Sequence, residues 1–279
     1  MATNKLVQPF LKWAGGKRQL IKEIEKYIPS SNEINTYYEP FLGGGAVLFH
    51  LQPKKAVVND YNTDLMTTYE VIRDNVDELI EDLKKHKNTS EYFYEIRSWD
   101  RKPDFDKISK IKKASRLIYL NKTCFNGLFR VNSNGEFNTP FGNYKKPNIV
   151  NEKVLRAVSK YLNENDVILL NCDFENALIN IKKGDFVYLD PPYYPISNSS
   201  NFTGYTLDGF SESDQVRLKE LCDKLTERGI KFLLSNSSAP FILELYKDYK
   251  IEFVKARRTI NSNGDGRGKI KEVLVRNYE

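Results

Sequence analysis

Asp190-Pro191-Pro192-Tyr193 sets a carboxylate, two rigid residues and an aromatic ring in a row. The motif closes the apolar run Phe186-Val187-Tyr188-Leu189, bounded by Gly184 and Asp185 before it and by the prolines after it. Such a run reads as a short strand buried on both faces, and in open α/β sheets ligands bind at the carboxyl ends of strands. The chemistry these residue types suit is methylation of the exocyclic amine of a base. That amine is a poor nucleophile because its lone pair is delocalised into the ring. The Asp190 carboxylate, with a backbone carbonyl beside it, can accept the N–H groups, favour a tetrahedral nitrogen and stabilise the positive charge that develops. Pro191 and Pro192 have no N–H and hold φ near about −65°, so the carbonyl between them is rigidly aimed. Tyr193 offers a face to a base taken out of the stack. A strand that merely ends in a Pro-Pro turn has the same residues, so the reading depends on what surrounds them.

Three further strand tips carry polar or glycine-rich groups. Thr36 to Phe41 is strand-like and leads through Phe41-Leu42-Gly43-Gly44-Gly45 into an apolar helix, Ala46 to Leu51. Strand, glycine turn and helix form the first half of a nucleotide-binding unit, with Gly43 and Gly45 letting the backbone approach a ligand. The next strand, Ala56 to Val58, ends in Asn59-Asp60-Tyr61-Asn62, placing Asp60 where this architecture holds ribose hydroxyls, or where it could cap a helix. Val167 to Leu170 ends in Cys172-Asp173-Phe174. Asp173 could accept from an adenine amino group with Phe174 covering the ring; helix capping with Phe174 in the core is an equal alternative. Upstream, Phe10-Leu11-Lys12-Trp13-Ala14-Gly15-Gly16-Lys17 looks like a phosphate loop but lacks its first glycine, and Arg18 replaces the magnesium-binding Ser or Thr. A triphosphatase is excluded. Gly15 and Gly16 still permit close approach, with Trp13 as a stacking surface and Lys17 as a partner for a carboxylate.

These tips need a sheet to position them, and the remaining pattern supplies one. A helix is expected at Glu212 to Glu227, a strand from Lys231 to Leu234, a helix from Pro240 to Tyr246, and strands at Ile251 to Val254 and Glu272 to Val275. Between the first strands and Val167 lies a block without strands. Leu65 to Leu83 has helical apolar spacing, and helices follow near Tyr92 to Trp99 and Ile111 to Leu120. Asn121 to Asn148 differs in kind: Asn134-Gly135 marks a hairpin turn between Leu128-Phe129-Arg130-Val131 and Glu136-Phe137-Asn138. With Arg130, Asn132, Asn138, Tyr144, Lys145 and Lys146 it carries the forks, amides and cations that read a DNA groove. Pro195 to Phe210 and Arg257 to Lys271 read as loops beside the site, the second basic and glycine-rich.

The chain has 279 residues, enough for one large domain with an insertion, and its net charge of +6 suits a polyanionic partner. Its three cysteines, Cys124, Cys172 and Cys222, show neither metal-ligand spacing nor a Pro-Cys context, and the two histidines leave little room for His-based catalysis. No signal-peptide core and no apolar run near ~18 residues is present, which predicts a cytoplasmic protein without a membrane span. A zinc deaminase is excluded by the missing H-x-E and P-C-x-x-C signatures.

Taken together, these residues resemble the DNA adenine-N6 methyltransferases of the Dam/Dpn type (the D12 class), over nearly the whole chain. The likeness rests on Lys12 to Lys17, Pro40 to Gly45, Asp190 to Tyr193, and a recognition hairpin formed by Phe125 to Asn132 with Phe137 to Gly142. The resemblance implies a seven-stranded mixed-sheet, Rossmann-like α/β methyltransferase fold made of residues 1–61 and 163–279. A mainly helical DNA-recognition domain bearing a β-hairpin would be inserted at 62–162. It implies S-adenosylmethionine as methyl donor, S-adenosylhomocysteine as product, and no metal. Trp13, Ala14, Gly15, Lys17, Phe41, Gly43, Gly45, Asp60, Asp173, Phe174 and Asp190 would line the cofactor site. Lys12, Asn126, Leu128, Arg130, Asn132, Pro140, Tyr144, Lys145 and Lys146 would meet double-stranded DNA, with adenine in GATC as target. Asn143 stands where some relatives carry arginine. A companion restriction endonuclease acting at the same site is the other partner implied. Cytosine-N4 or RNA adenine methylation would use the same amine chemistry. A nicotinamide oxidoreductase would leave Asp190 to Tyr193 unexplained, and a non-catalytic DNA-binding module would leave the cofactor site unexplained.

Overall fold

Phe186–Leu189 is a strand within those bounds, and all four residues are buried. Phe186 and Tyr188 point into one apolar core, Val187 and Leu189 into a second on the opposite face, so the strand is covered on both sides as its unbroken apolar run requires. The computed structural model describes residues 3–13, 15–196, 209–257 and 269–279, with backbone alone at 256–257 and 269–271. Ala14, residues 197–208 of the loop after Tyr193 and residues 258–268 of the basic loop lie outside the described residues.

Seven strands form one sheet: β1 (Tyr37–Glu39), β2 (Lys55–Asn59), β3 (Asp166–Leu170), β4 (Phe186–Leu189), β5 (Lys231–Ser237), β6 (Lys250–Arg257) and β7 (Lys269–Arg276). Their spatial order is β3-β2-β1-β4-β5-β7-β6, with the first five parallel and β7 antiparallel to both neighbours. From β1 the chain winds outward through β2 and β3, then returns to start the other half at β4. The crevice between the carboxyl ends of β1 and β4 is therefore the switch point at which ligands bind in doubly wound sheets. The glycine turn leaves β1 and Asp190 leaves β4, so both open on that crevice.

The helices are α1 (Ile21–Glu25), α2 (Ala46–Leu51), α3 (Thr63–Asp74), α4 (Val76–Leu83), α5 (Ser90–Arg97), α6 (Lys110–Thr123), α7 (Glu152–Glu164), α8 (Glu212–Glu227) and α9 (Pro240–Leu245). Capping fixes several starts: Asn62 accepts from Leu65 N at α3, and Ser211 with Asp214 forms a capping box at α8. The single helix expected from Leu65 to Leu83 is two. Asn75, at φ −137° and ψ 41°, leaves the helical region, and an Asn whose side chain competes with the backbone is a common place for that break. α7 is an addition to the expected elements, although Val154, Leu155, Val158, Tyr161 and Leu162 follow helical spacing; they are buried where α7 packs on α3, α4 and β3. One core runs without interruption from this sheet face into α3 to α7 and the hairpin, through Tyr69, Tyr119, Phe129 and Phe137. Among the described residues no helix is long and apolar enough to cross a membrane.

Candidate active site

Asp190 begins the segment after β4, and two donors meet the same oxygen. Lys17 Nζ lies 2.7 Å from Oδ1 and Ser235 Oγ, on β5, donates to it at 2.8 Å. Lys17 Nζ also donates to the Gly15 carbonyl at 2.9 Å and sits 4.4 Å from the centre of the Tyr193 ring. The lysine side chain is 6% exposed and that of Asp190 17%, so the ion pair is largely dry while the carboxylate still reaches the crevice. Burial pushes the Asp190 carboxyl above the usual range, and Lys17 and the Ser235 hydroxyl pull it back. Oδ2 accepts from none of the described side chains. Glu39, at the end of β1, is 2% exposed and is pushed up to about 8, chiefly by burial, although the Tyr37 hydroxyl donates to it at 2.8 Å. At neutral pH Glu39 is therefore mostly protonated and adds little negative charge beside Asp190. Tyr193 donates its hydroxyl to Glu272 at 2.7 Å, which anchors its partly buried ring.

On the glycine-turn side, Asp60 stands at the tip of β2. Its Oδ2 accepts from Gly43 N at 2.8 Å and its Oδ1 from Asn62 N at 2.9 Å. Asp60 thus ties the turn to β2, while the N-cap of α3 is Asn62. Each Asp60 oxygen keeps acceptor capacity for a ligand. Trp13 closes over the turn: at Gly43, whose φ is +50°, an added Cβ would stand 3.0 Å from the indole Cδ1. Glycine is thus required there both for backbone shape and for the ring's approach. Phe41 and Phe174 have ring centres 5.4 Å apart, and Phe210 lies 5.7 Å from the first and 5.9 Å from the second. Phe174 belongs to the core. Asp173 accepts from Glu175 N at 3.0 Å, and Arg217, on α8, reaches both Asp173 oxygens at 3.0 Å, Glu175 at 3.0 Å and Asp214 at 3.1 Å.

The hairpin is tied by two isolated antiparallel bridges, Val131 with Phe137 and Cys124 with Phe141, rather than by a continuous ladder. Gly135 N donates to Asn132 O at 3.0 Å, and Gly135, at φ +78°, then takes the left-handed conformation expected after such a turn. Asn132 is engaged inside this turn: its Oδ1 accepts from Asn134 N and Glu136 N, and its Nδ2 donates to Glu136. Arg130 is presented differently, with Nε donating to Asn138 Oδ1 at 2.6 Å. Asn126, at φ +57°, and Pro140 are exposed, as are Lys145 and Lys146, whereas Leu128 and Tyr144 are partly covered. Exposed Asn143 adopts φ +52°.

One connection joins this hairpin to the glycine turn. Asn121 clamps Lys12 through both its N (2.9 Å) and its O (2.7 Å), and donates to Gly127 O at 3.0 Å. Trp13, on the same strap, stacks on Phe129 with centres 5.1 Å apart and planes at 24°. Lys12 lies against Gly127, with its ammonium 5.4 Å from the Tyr144 ring. The structure therefore gathers Lys12, Trp13, Lys17, the glycine turn, Asp190 and Tyr193 around one crevice beside the hairpin. Ser235, Glu39, Asn121, Phe129 and Arg217 join them without having been candidates on sequence grounds. Ser235 had a usable signal, as a polar residue directly after the apolar run expected as a strand from Lys231 to Leu234.

Comparison with known proteins agrees with this arrangement. A model of the family described as D12 class N6 adenine-specific DNA methyltransferase matches residues 13–260. A type II methyltransferase of Lactococcus lactis subsp. cremoris is 46% identical over 278 residues, spanning 99% of this chain and 97% of its own. One of Methanocaldococcus jannaschii is 43% identical over 294 residues, spanning 98% and 99%. The DNA adenine methylase of Haemophilus influenzae is 35% identical over 275 residues, spanning 96% and 93%. These matches run from the Trp13 strap through the hairpin and past Asp190, and place the chain in the D12 class of N6 adenine-specific DNA methyltransferases.

Proposed function

We propose that this adenine-specific DNA methyltransferase moves the methyl group of S-adenosylmethionine onto N6 of an adenine turned out of a duplex at GATC, leaving S-adenosylhomocysteine. The observation that carries the reading is Asp190, whose Oδ1 is held by Lys17 and Ser235 while Oδ2 accepts from none of the described side chains. Asp190 Oδ2 and the Pro191 carbonyl accept the two N–H groups of the amine and offset the charge it gains. Tyr193, steadied by Glu272, offers the ring against which the extruded base rests.

The crevice has the groups an adenosyl sulfonium needs, and the bound cofactor supplies an already activated methyl group. Asp60 would take the sugar hydroxyls, with Trp13, Ala14, Gly15, Gly43 and Gly45 along the backbone side. Phe41, Phe174 and Asp173 would take the cofactor's adenine. A purine between two rings needs about 7 Å, more than the 5.4 Å between Phe41 and Phe174. It therefore rests against the pair or parts it.

Residues 62–162 serve as the DNA-recognition insertion. With Nε held by Asn138, Arg130 would offer its terminal nitrogens as a fork to guanine O6 and N7. Lys12, Asn126, Leu128 and Pro140 complete the base-facing edge, Asn132 shapes its turn, and Tyr144, Lys145 and Lys146 lie toward the phosphates. A restriction endonuclease cutting the same site is the partner in the cell that fits, without contact to this chain; the type II designation of two relatives is in keeping with it.

The test is transfer of label from S-adenosylmethionine to a duplex with one GATC, beside duplexes with the adenine replaced or the site scrambled. Label as N6-methyladenine in the intact site alone is expected, and Asp190→Ala should lower the rate by on the order of 10³-fold with duplex binding kept. Label at other sequences would overturn GATC, and label on cytosine the choice of amine.

A further inference from the structure

Two amide side chains lie directly behind the catalytic segment. Gln215, in the first turns of α8, and Asn236, near the end of β5, are both fully buried. Their contacts form a single directed chain. Tyr194 N donates to Asn236 Oδ1 at 3.2 Å, and Ser237 N donates to the same oxygen at 2.8 Å. A backbone N–H can only donate, so these two bonds fix which end of the Asn236 amide is oxygen. Asn236 Nδ2 must then face Gln215, and it donates to Gln215 Oε1 at 3.0 Å. That in turn leaves Gln215 Nε2 to donate to the Pro192 carbonyl at 2.9 Å. Ser237 Oγ completes the cradle by donating to Tyr194 O at 2.6 Å.

Prolines 191 and 192 bring no N–H to the segment, so the chain there cannot fix itself through its own donors. The bonds that hold it come from outside. They consume the Pro192 carbonyl, whereas no described residue donates to that of Pro191. We infer that Gln215 and Asn236 are positioning residues for methyl transfer: as one relay they occupy the Pro192 carbonyl and lock Pro192 to Tyr194. This leaves the Pro191 carbonyl as the acceptor aimed, with Asp190, at the target amine. The inference rests on the proposed roles of Asp190 and Pro191. Both side chains are fully buried, so the relay has no exposed surface to offer cofactor or DNA. It acts on the reaction by holding the acceptor pair in register, where an error of about 1 Å costs roughly 10²-fold in rate.

The test uses the full chain with unmethylated genomic DNA and the GATC duplex, comparing wild type with Gln215→Met, Asn236→Asp and the double variant. Asn236→Asp keeps the oxygen that the two backbone amides need and, when ionised, puts a carboxylate oxygen in place of the donor to Gln215, so it serves if Gln215→Met does not fold. Single-turnover methyl transfer is expected to fall roughly 10²-fold in each single variant. The double variant should fall no further than the worse single one, because the two act as a unit. Dissociation constants for S-adenosylmethionine and duplex should stay within about twofold of wild type, a split between rate and binding that a general loosening of the fold would not give. An unchanged rate in a folded variant, or losses that add in the double variant, would overturn the relay. The ratio of variant to wild type is taken on whichever DNA the wild type labels, so a wrong site preference shows separately, in the wild type alone.

Discussion

In the proposed reaction Asp190 accepts from the amine most strongly while ionised, and its surroundings pull its proton affinity in opposite directions. Burial raises it; Lys17 and the Ser235 hydroxyl lower it. Ser235→Ala removes one stabiliser of the anion and leaves the burial, so the Asp190 carboxyl should move further up. The acid limb of the methyl-transfer rate should then move to higher pH than in wild type, as a pH profile under single-turnover conditions will show. A limb that stays in place would mean that Ser235 does not tune Asp190. Asp190 was legible in the sequence because strand, carboxylate, prolines and tyrosine are neighbours in the chain. Ser235 bonds it across 45 residues and Gln215 reaches Pro192 across 23. Both sit in stretches whose local pattern says only strand or helix. What fixes their role is strand order, which residue types alone do not state.

At the scale of elements, the hairpin is held from behind by the helices. Asp100 accepts from Phe137 N at 2.7 Å and pairs with buried Arg116 at 2.7 Å, while Arg101 donates to Phe137 O at 2.9 Å. The hairpin needs no long ladder because side chains from the helical block fix its register. This explains why the Asn-Gly signal located the turn while the expected strands shrank to bridges. On its outer side Asn138→Ala should free the Arg130 guanidinium and relax discrimination at one base pair by ~1–3 kcal/mol, measurable by competition between GATC and singly altered duplexes. Within the block, His86 stacks on Tyr119 at 4.4 Å and lies between Tyr92 (3.0 Å) and Ser115 (2.9 Å). Burial lowers its pKa from 6.5 to about 4. The unfolded chain therefore binds a proton that the folded chain refuses, so this contribution is full above pH 6.5 and is lost as pH falls toward 4. His86→Gln should flatten the pH dependence of unfolding free energy across that window relative to wild type, as denaturant titrations at several pH values will test. The limits of the helix Ala46–Leu51, the helix Glu212–Glu227 and the strand Phe186–Leu189 were readable because glycine, serine or proline flanks them. The helix Glu152–Glu164 was masked by the loop-like composition just before it.

For the whole molecule, the strap carrying Lys12 and Trp13 joins the glycine turn to the hairpin, the two places where the proposed reaction puts cofactor and duplex. Trp13 lies on the glycine turn and on Phe129 of the hairpin, and Asn121 holds the strap to the helical block. If both ligands order these residues as proposed, cofactor and duplex should each raise the other's affinity, by one common factor, since such coupling is reciprocal. Titrating each ligand with and without the other measures both factors, and in Asn121→Ala both should fall toward unity together. Unequal factors would show that a further equilibrium intervenes. The same stack has a practical side. The chain has only two tryptophans, Trp13 and Trp99, so replacing Trp99 by phenylalanine leaves a single indole emitter at the joint between the glycine turn and the hairpin. Its emission would report the filling of either site without any attached dye, and would let the order of arrival be followed in real time in a stopped-flow fluorimeter.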